Sequence, residues 1–425
     1  MNPTRRSLLA GLGAMGLFAP LARAAALGPR RLVVIHAWGG WDNTFVLDPK
    51  PRENVDGPYV DEDPDDPYDQ AAVFTLGGIP FLDDRKRRPA VTTFFSNHAH
   101  RVTVINGLHV GAVGHHDGIR RILSGTTEPG RPDLPTLVGA SGADDGLLGT
   151  VAFSGTARFG PYDDRSIRLG MRGQLRALLD PSVRYPTAPD ATVPRPLAPP
   201  PAQTRDAVAA WLHDRLDAAA TEAADPTSSE RLRLRDESLL RAQRLRDAGI
   251  ASSLPLGNRS TLAADIPAAL ELLDAGVCRS VLLDSAEPWD SHANHPRQHG
   301  QFNRLFANLG RLTTGLIERG MAHDTTVVVL SEMARSPRRN RDDGTEHWPT
   351  TSALVIDPAG RRGGRVLGGT DDDLLPLPID PHTGQVIASG TSLGYDQLAA
   401  GLLAHCDVDP EAWLPGVQPM HAAFE

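Results

Sequence analysis

Cysteine is nearly missing from this sequence: Cys278 and Cys406 are the only two, and they are far apart. A small secreted fold stapled by disulfides carries more of them, so that class is excluded and the pair reads as two buried thiols. Long hydrophobic runs are missing too. No stretch approaches the roughly 18 uninterrupted apolar residues that a membrane-spanning helix requires. Nor is there a surplus of positive charge, the formal value being -9 at pH 7. Phosphate backbones select basic surfaces, so nucleic acid is excluded as a general partner. A small anionic substrate stays compatible, because it responds to the local field of a cleft. No internal repeat is visible. What the chain does have is a globular balance, 40% hydrophobic and 22% charged over 425 residues, with ample material for a core.

The start, "TRRSLLAGLGAMGLFAPLARA", sets Arg5 and Arg6 before a short glycine-rich apolar run and Ala22-Arg23-Ala24. This is the layout of a cleavable leader, and the paired arginines resemble a twin-arginine signal. The expectation is a signal peptide over residues 1–24, passage through the twin-arginine translocase, and a periplasmic or extracellular mature chain without a transmembrane segment. Loss of three arginines and no acid would leave that chain more acidic still. Substrates of this route cross folded, which disfavours a structural disulfide and suits a protein loaded with metal before export.

Beyond the leader, apolar runs alternate with helical patterns. "RRLVVIHAW", "RVTVINGL", "RSVLLDS", "TTVVVLS" and "SALVID" read as strands, nearly continuous in Val, Ile and Leu as buried parallel strands are. Phe302, Leu305, Phe306, Leu309, Leu312 and Leu316 repeat at helical spacing, so 302–316 is a core-facing helix. "DGPYVDEDPDDPYDQ" is an acidic, proline-rich surface loop without EF-hand spacing. "PSVRYPTAPDATVPRPLAPPPAQT" is a stiff extended connector, and two long Ala-, Leu- and Arg-rich helices come after it. The predicted fold is α/β: a three-layer sandwich around a mostly parallel central sheet. A single domain spans 25–425, with the connector and a helical insert at about 181–250.

In open parallel sheets, ligands bind beyond the carboxyl ends of the strands, so the residues just after each strand are the test. The first strand runs into Gly39-Gly40, Asp42 and Asn43, and the second into His109, His115, His116 and Asp117. "RSVLLDS" leads to Asp290, His292 and His295, and "TTVVVLS" ends at Glu332 with Arg335 close behind. His347 sits in "GTEHW", just before "SALVID". Several carboxylates buried at one edge are unfavourable unless something cationic compensates. Mixed Asp, Glu and His donors suit a divalent ion such as zinc or manganese, one or two per site, whereas calcium and magnesium prefer oxygen alone. Such an ion polarises a phosphoryl or sulfuryl oxygen, or activates a bound water.

The leader, "LVVIHAWGGWDNT", "WDSHANH", "LSEMARSPRRN", "GTEHW" and "LAHCDVDPEAWLPGV" together resemble the domain of unknown function 1501 family. That family is similar in fold to the alkaline phosphatase and sulfatase superfamily. The resemblance implies an alkaline-phosphatase-like sandwich and metal ligands at Asp42, Asp290, His292, Glu332 and His347. It also carries departures. Glu332-Met333 stands where the superfamily has Asp-His, and Glu346 precedes the late histidine in place of Asp. Superfamily hydrolases set a Ser, Thr or modified Cys at the helix start after the second strand, but here the chain reads Gly114-His115-His116. No hydroxyl residue occurs between Asn106 and Ser124. His116 or Asp117 then serves as base or ligand, and Arg335, with Arg338 or Arg339, neutralises substrate charge. The expected function is an exported metal-dependent hydrolase of a small phosphate or sulfate ester. The alternative is a non-catalytic metal-binding or assembly protein of the cell envelope that keeps the fold.

Overall fold

The computed structural model describes residues 30–425 apart from 64, 67–68, 142–147, 164, 170–182, 185–194, 197–200, 248 and 250–260. The leader and most of the proline-rich connector therefore lie outside the described residues. β1 (Arg31–His36) is followed by a hairpin, β2 (Ala72–Leu76) and β3 (Ile79–Asp83), and then by α1 (Pro89–His98) and β4 (Val102–His109). Next come α2 (His115–Ser124), α3 (Leu134–Ser141), β5 (Thr150–Ala152) and β6 (Ser166–Arg168). Two long helices, α4 (Ala202–Glu222) and α5 (Pro226–Asp247), pack on one another with mostly exposed faces. The last third holds α6 (Leu262–Asp274), β7 (Ser280–Asp284), α7 (Gln298–Glu318) and β8 (Thr325–Leu330). It continues with β9 (Ala334–Arg335), β10 (His347–Trp348), β11 (Thr350–Ile356), β12 (Arg365–Gly368) and α8 (Tyr395–His405).

Eight strands form one sheet in the order β12-β4-β11-β8-β1-β7-β5-β6. β1 lies between β8 and β7, parallel to both, and in this sheet β11 alone runs against the rest. Side chains along β1 alternate between faces: Val33 and Ile35 enter one apolar core, Leu32 and Val34 the other. Helices α1, α6 and α7 cover the first face, and α2, α3 and α8 the second. The α/β sandwich with a mostly parallel sheet is as the sequence predicts. All six apolar residues of the α7 stripe are buried, each side chain worth about 1.5–3 kcal/mol of transfer free energy. Both thiols are free and buried, Cys278 in the first core and Cys406 in the second, so the sheet lies between them. Burial pushes each thiol up to about 12.

Strand direction positions the site. His36, Asp284 and Leu330 end their parallel strands at one edge, and the loops after them carry Asp290 and Glu332. His347 comes before its strand, which in a wholly parallel sheet would put it at the opposite edge. Because β11 is reversed, Thr350 pairs with His109 at the end of β4 and the "GTEHW" loop joins the others.

Candidate metal centre

Three loops are held together by contacts that only small residues permit. A Cβ on Gly344 would overlap the His292 backbone, so the 340–347 loop lies directly on the 291–293 loop. Asn340 Nδ2 donates to His292 O (3.0 Å) and to Glu346 Oε1 (2.8 Å), and Thr345 N donates to Ser291 O (3.0 Å). Gly118 performs the same service for α2: a Cβ there would come within 2.9 Å of Glu332 O, so the helix can close on the end of β8. His115, three residues earlier on the same face, is thereby delivered to Glu332.

Asp290 is the hub. Its Oδ1 lies 3.1 Å from His292 Nε2 and 3.3 Å from His347 Nε2, and its Oδ2 lies 3.4 Å from His115 Nε2. His292 Nε2 and His347 Nε2 are 3.0 Å apart. Each of the three rings has its other nitrogen against an acceptor: His115 Nδ1 on Glu332 Oε1 (2.9 Å), His292 Nδ1 on Glu346 Oε2 (3.2 Å), His347 Nδ1 on Val113 O (2.6 Å). With their hydrogens on Nδ1, toward those acceptors, the three rings direct Nε2 lone pairs at one carboxylate. His115 Nε2 is buried and has no hydrogen-bond partner.

Lone pairs this close repel unless a cation lies among them. Tetrahedral donors about 2.0–2.1 Å from a zinc-type ion stand roughly 3.3 Å apart, and the three nitrogen-to-Asp290 separations and the His292–His347 one run from 3.0 to 3.4 Å. Donor atoms of His115, Asp290 and His347 all lie within 4.8 Å of one another, the one such group among the described residues. A metal-bound histidine whose second nitrogen is held by a carboxylate or carbonyl is the arrangement that makes imidazole a firm ligand. The residues present therefore fit a divalent ion.

Behind this group, Glu332 is fully buried. Its Oε1 accepts from Gly39 N (2.7 Å) and His115, and its Oε2 faces His36 Nε2 (3.1 Å). Burial works to raise its pKa, but the hydrogen bonds from His115 and His36 prevail and hold it at about 2. The hydrogen bond to Glu332 in turn raises His115 above the usual imidazole range. Asp290 is held at about 2: burial opposes ionisation, and the Arg335 guanidinium more than offsets it.

Arg335 is wholly buried, and Nη2 donates to Asp290 Oδ1 (2.6 Å) and to Gly39 O. Nε donates to Gly40 O (2.8 Å) and Nη1 to Thr345 O (3.2 Å). It clamps three loops together from below and carries the cationic compensation for Asp290. Gly39 and Gly40 take φ of +115° and +84° to let the backbone pass there, a conformation that disfavours any side chain. Arg338 and Arg339 lie on the rim, bonded to Asp56 and Asp343.

Of the ligands expected from sequence, Asp290, His292 and His347 are brought together, with Glu332 one bond behind through His115. Asp42 is placed elsewhere. Its Oδ2 meets His295 Nε2 (2.7 Å), its Oδ1 accepts from Thr44 N and Oγ1 (3.0 and 2.6 Å), and Gly57 closes over the pair. His116 and Asp117 are exposed in the first turn of α2, with Asp117 near Arg120. Two residues of the site were not among those ligands: His115 and His36. Helix phase was the available signal for His115, since it shares its face with Gly118, Ile119 and Ile122, the buried side of α2.

Fold and cluster define an α/β protein with a histidine- and carboxylate-built candidate metal centre at the carboxyl edge of its sheet. The sequence matches, over residues 29–412, the profile described as "Protein of unknown function (DUF1501)", and the chain belongs to that family. No curated protein matches it. Among solved structures it is similar to the lipoteichoic acid synthase LtaP from Listeria monocytogenes, at 9% identity and TM-score 0.38 over 93% of this chain and 75% of that one. It is similar also to the PsFucS1 sulfatase from Pseudoalteromonas sp., at 8% identity and TM-score 0.39 over 99% and 74%. The phosphonate monoester hydrolase of Agrobacterium radiobacter gives 12% identity and TM-score 0.31 over 92% and 78%. Likenesses this distant carry no chemistry across.

Proposed function

We propose that this chain is an exported, metal-dependent hydrolase of a phosphate or sulfate ester, with one divalent ion of the zinc or manganese type. His115, Asp290 and His347 would hold the ion, with His292 beside them. The observation that carries this reading is the set of three Nε2 atoms converging on one carboxylate, each ring with an acceptor at its far nitrogen. When bound, the ion would polarise an ester oxygen and lower the pKa of a coordinated water.

The surroundings favour an anion. α2 begins at the site behind Gly114, which offers no side-chain cap, so the first N–H groups of the helix stay free for a charged oxygen. Trp38, 39% exposed and stacked on His115 at 5.4 Å, gives a flat apolar face for the organic part of an ester. Exposed His116 and Asp117 stand at the same helix end, within its first turn. Arg335 orders the loops, while rim Arg338 and Arg339 set the field at the mouth.

Export rests on the twin-arginine pattern of residues 1–24, and the single domain over 25–425 rests on the order of the elements. No helix among the described residues is long and apolar enough to cross a membrane. A non-catalytic metal-binding role is the second reading, favoured by one observation: α2 starts behind Gly114 with His115-His116 and supplies no hydroxyl at that end. Elemental analysis plus a panel of aryl phosphate, phosphodiester, phosphonate and sulfate esters separates the two. Turnover lost in His347→Ala supports hydrolysis. Bound metal without turnover across the panel supports the second reading.

A further inference from the structure

The expected nucleophile position is empty of hydroxyls, but a hydroxyl is linked to Glu332 from the other side through His36. Thr156 lies after β5 in the loop "FSGTARF", at the carboxyl edge that bears the metal centre, two strands from β1. Its Oγ1 lies 3.3 Å from His36 Nδ1, and His36 Nε2 lies 3.1 Å from Glu332 Oε2. Hydroxyl, imidazole and carboxylate stand in line. This is the order of groups that activates an alcohol for attack.

We propose that Thr156 is the nucleophile of the ester hydrolase, with His36 as its base and Glu332 as the carboxylate that orients His36. The proposal rests on the hydrolase reading above and adds a covalent intermediate to it. Three features separate this array from an ordinary buried histidine satisfied by a neighbour. Burial is graded in the required direction: Glu332 and His36 are fully enclosed, whereas Thr156 is partly exposed and the adjacent Gly155 faces open space. The tautomer is fixed in the required sense, because Nε2–H donates to Glu332 and leaves Nδ1 to accept from the threonine hydroxyl. Ser154 holds the hydroxyl in place, its Oγ 2.7 Å from Thr156 Oγ1 and accepting from Thr156 N at 3.2 Å. Glu332 also binds His115, so a single buried carboxylate ties the hydroxyl array to the metal centre.

The chemistry balances in two stages. Thr156 Oγ1 forms a bond to phosphorus or sulfur while the ester P–O or S–O bond breaks. The threonine proton passes to His36 Nδ1, and the leaving oxygen departs with the bonding pair and takes a proton from water. The hydroxide so formed attacks the threonine ester, and His36 returns its proton to Oγ1.

An alkyl fluorophosphonate tests this without any assumption about substrate. Attack by an activated hydroxyl forms an O–P bond and expels fluoride, leaving an adduct that peptide mass spectrometry assigns to a residue. Full-length protein should label at Thr156. Thr156→Ser should label there as well. Thr156→Val, of near-equal volume, should lose the label and lose ester turnover by at least about 100-fold with its metal content unchanged. Labelling of another residue, or turnover in Thr156→Val within a few-fold of wild type, would overturn the proposal. The two readings fail separately. Label on Thr156 in a protein that binds no ion sinks the metal reading alone, and bound ion with no label on Thr156 sinks the nucleophile alone.

Discussion

Two carboxylate–imidazole groups stand at the same edge of this sheet and share residue types but not chemistry. Asp42 and His295 are sealed. Their atoms meet at 2.7 Å, Ser291 Oγ and Thr345 Oγ1 take up His295 Nδ1, Thr44 takes up Asp42, and Phe45 packs its ring on the histidine. Asp290 with His115, His292 and His347 is partly open, and its nitrogens face one another with lone pairs to spare. What separates a structural pair from a candidate metal centre is therefore the count of donor atoms left after the neighbours have been served. Burial plus full satisfaction gives rigidity; partial exposure plus surplus donors gives a ligand set.

Mutation should split the two groups. Asp42→Ala strands a buried imidazole and should cost about 3–5 kcal/mol in urea unfolding, while the folded fraction keeps its metal. A loss of metal in well-folded Asp42→Ala protein would make the sealed pair part of the centre. Glu332→Gln weakens the acceptor behind His115 and should lower metal affinity by about 10- to 100-fold, against little change in Glu346→Gln, whose carboxylate is 61% exposed. Competitive chelator titration reads both.

Acid should act next. Glu332 and Asp290 are each held at about 2, below their ordinary 4.5 and 3.8. Depressed carboxylates stabilise the folded state above their unfolded values, and that stability fades as pH falls toward about 2. Metal-free protein should thus show a falling urea midpoint from about pH 4.5 downward, and Glu332→Gln should flatten the profile. The smallest effect concerns the thiols. Cys278 and Cys406, pushed to about 12 by burial, should react with a thiol reagent only after unfolding, and rapid labelling of native protein would contradict their placement.

Much of the fold was legible in the sequence because buried parallel strands write themselves as Val, Ile and Leu runs, and the α7 stripe as helical repeats. The hairpin of β2 and β3 went unread, although its Gly77-Gly78 turn, with φ of +55° and +88°, is the signature of a tight hairpin. For the site, Asp290 and Glu332 could be read because they come after strands. His347 joins them only through the reversal of β11, and nothing in a run of apolar residues states strand direction. His115 and His116 are adjacent, and the choice between them depends on helix phase, which Gly118 and its fit against Glu332 decide. Resemblance to the superfamily pointed to Asp42 after β1, whereas the residue that meets Glu332 from β1 is His36, whose place in an apolar strand resembles core.

The donors of His115, Asp290 and His347 are proposed to bind one ion. The direct measurement is metal content per chain by elemental analysis of purified protein, wild type beside Asp290→Ala. About one zinc- or manganese-type ion per wild-type chain is predicted, with loss of nearly all of it in the variant. Wild-type protein without a transition metal after incubation with zinc or manganese, or equal content in Asp290→Ala, would contradict it.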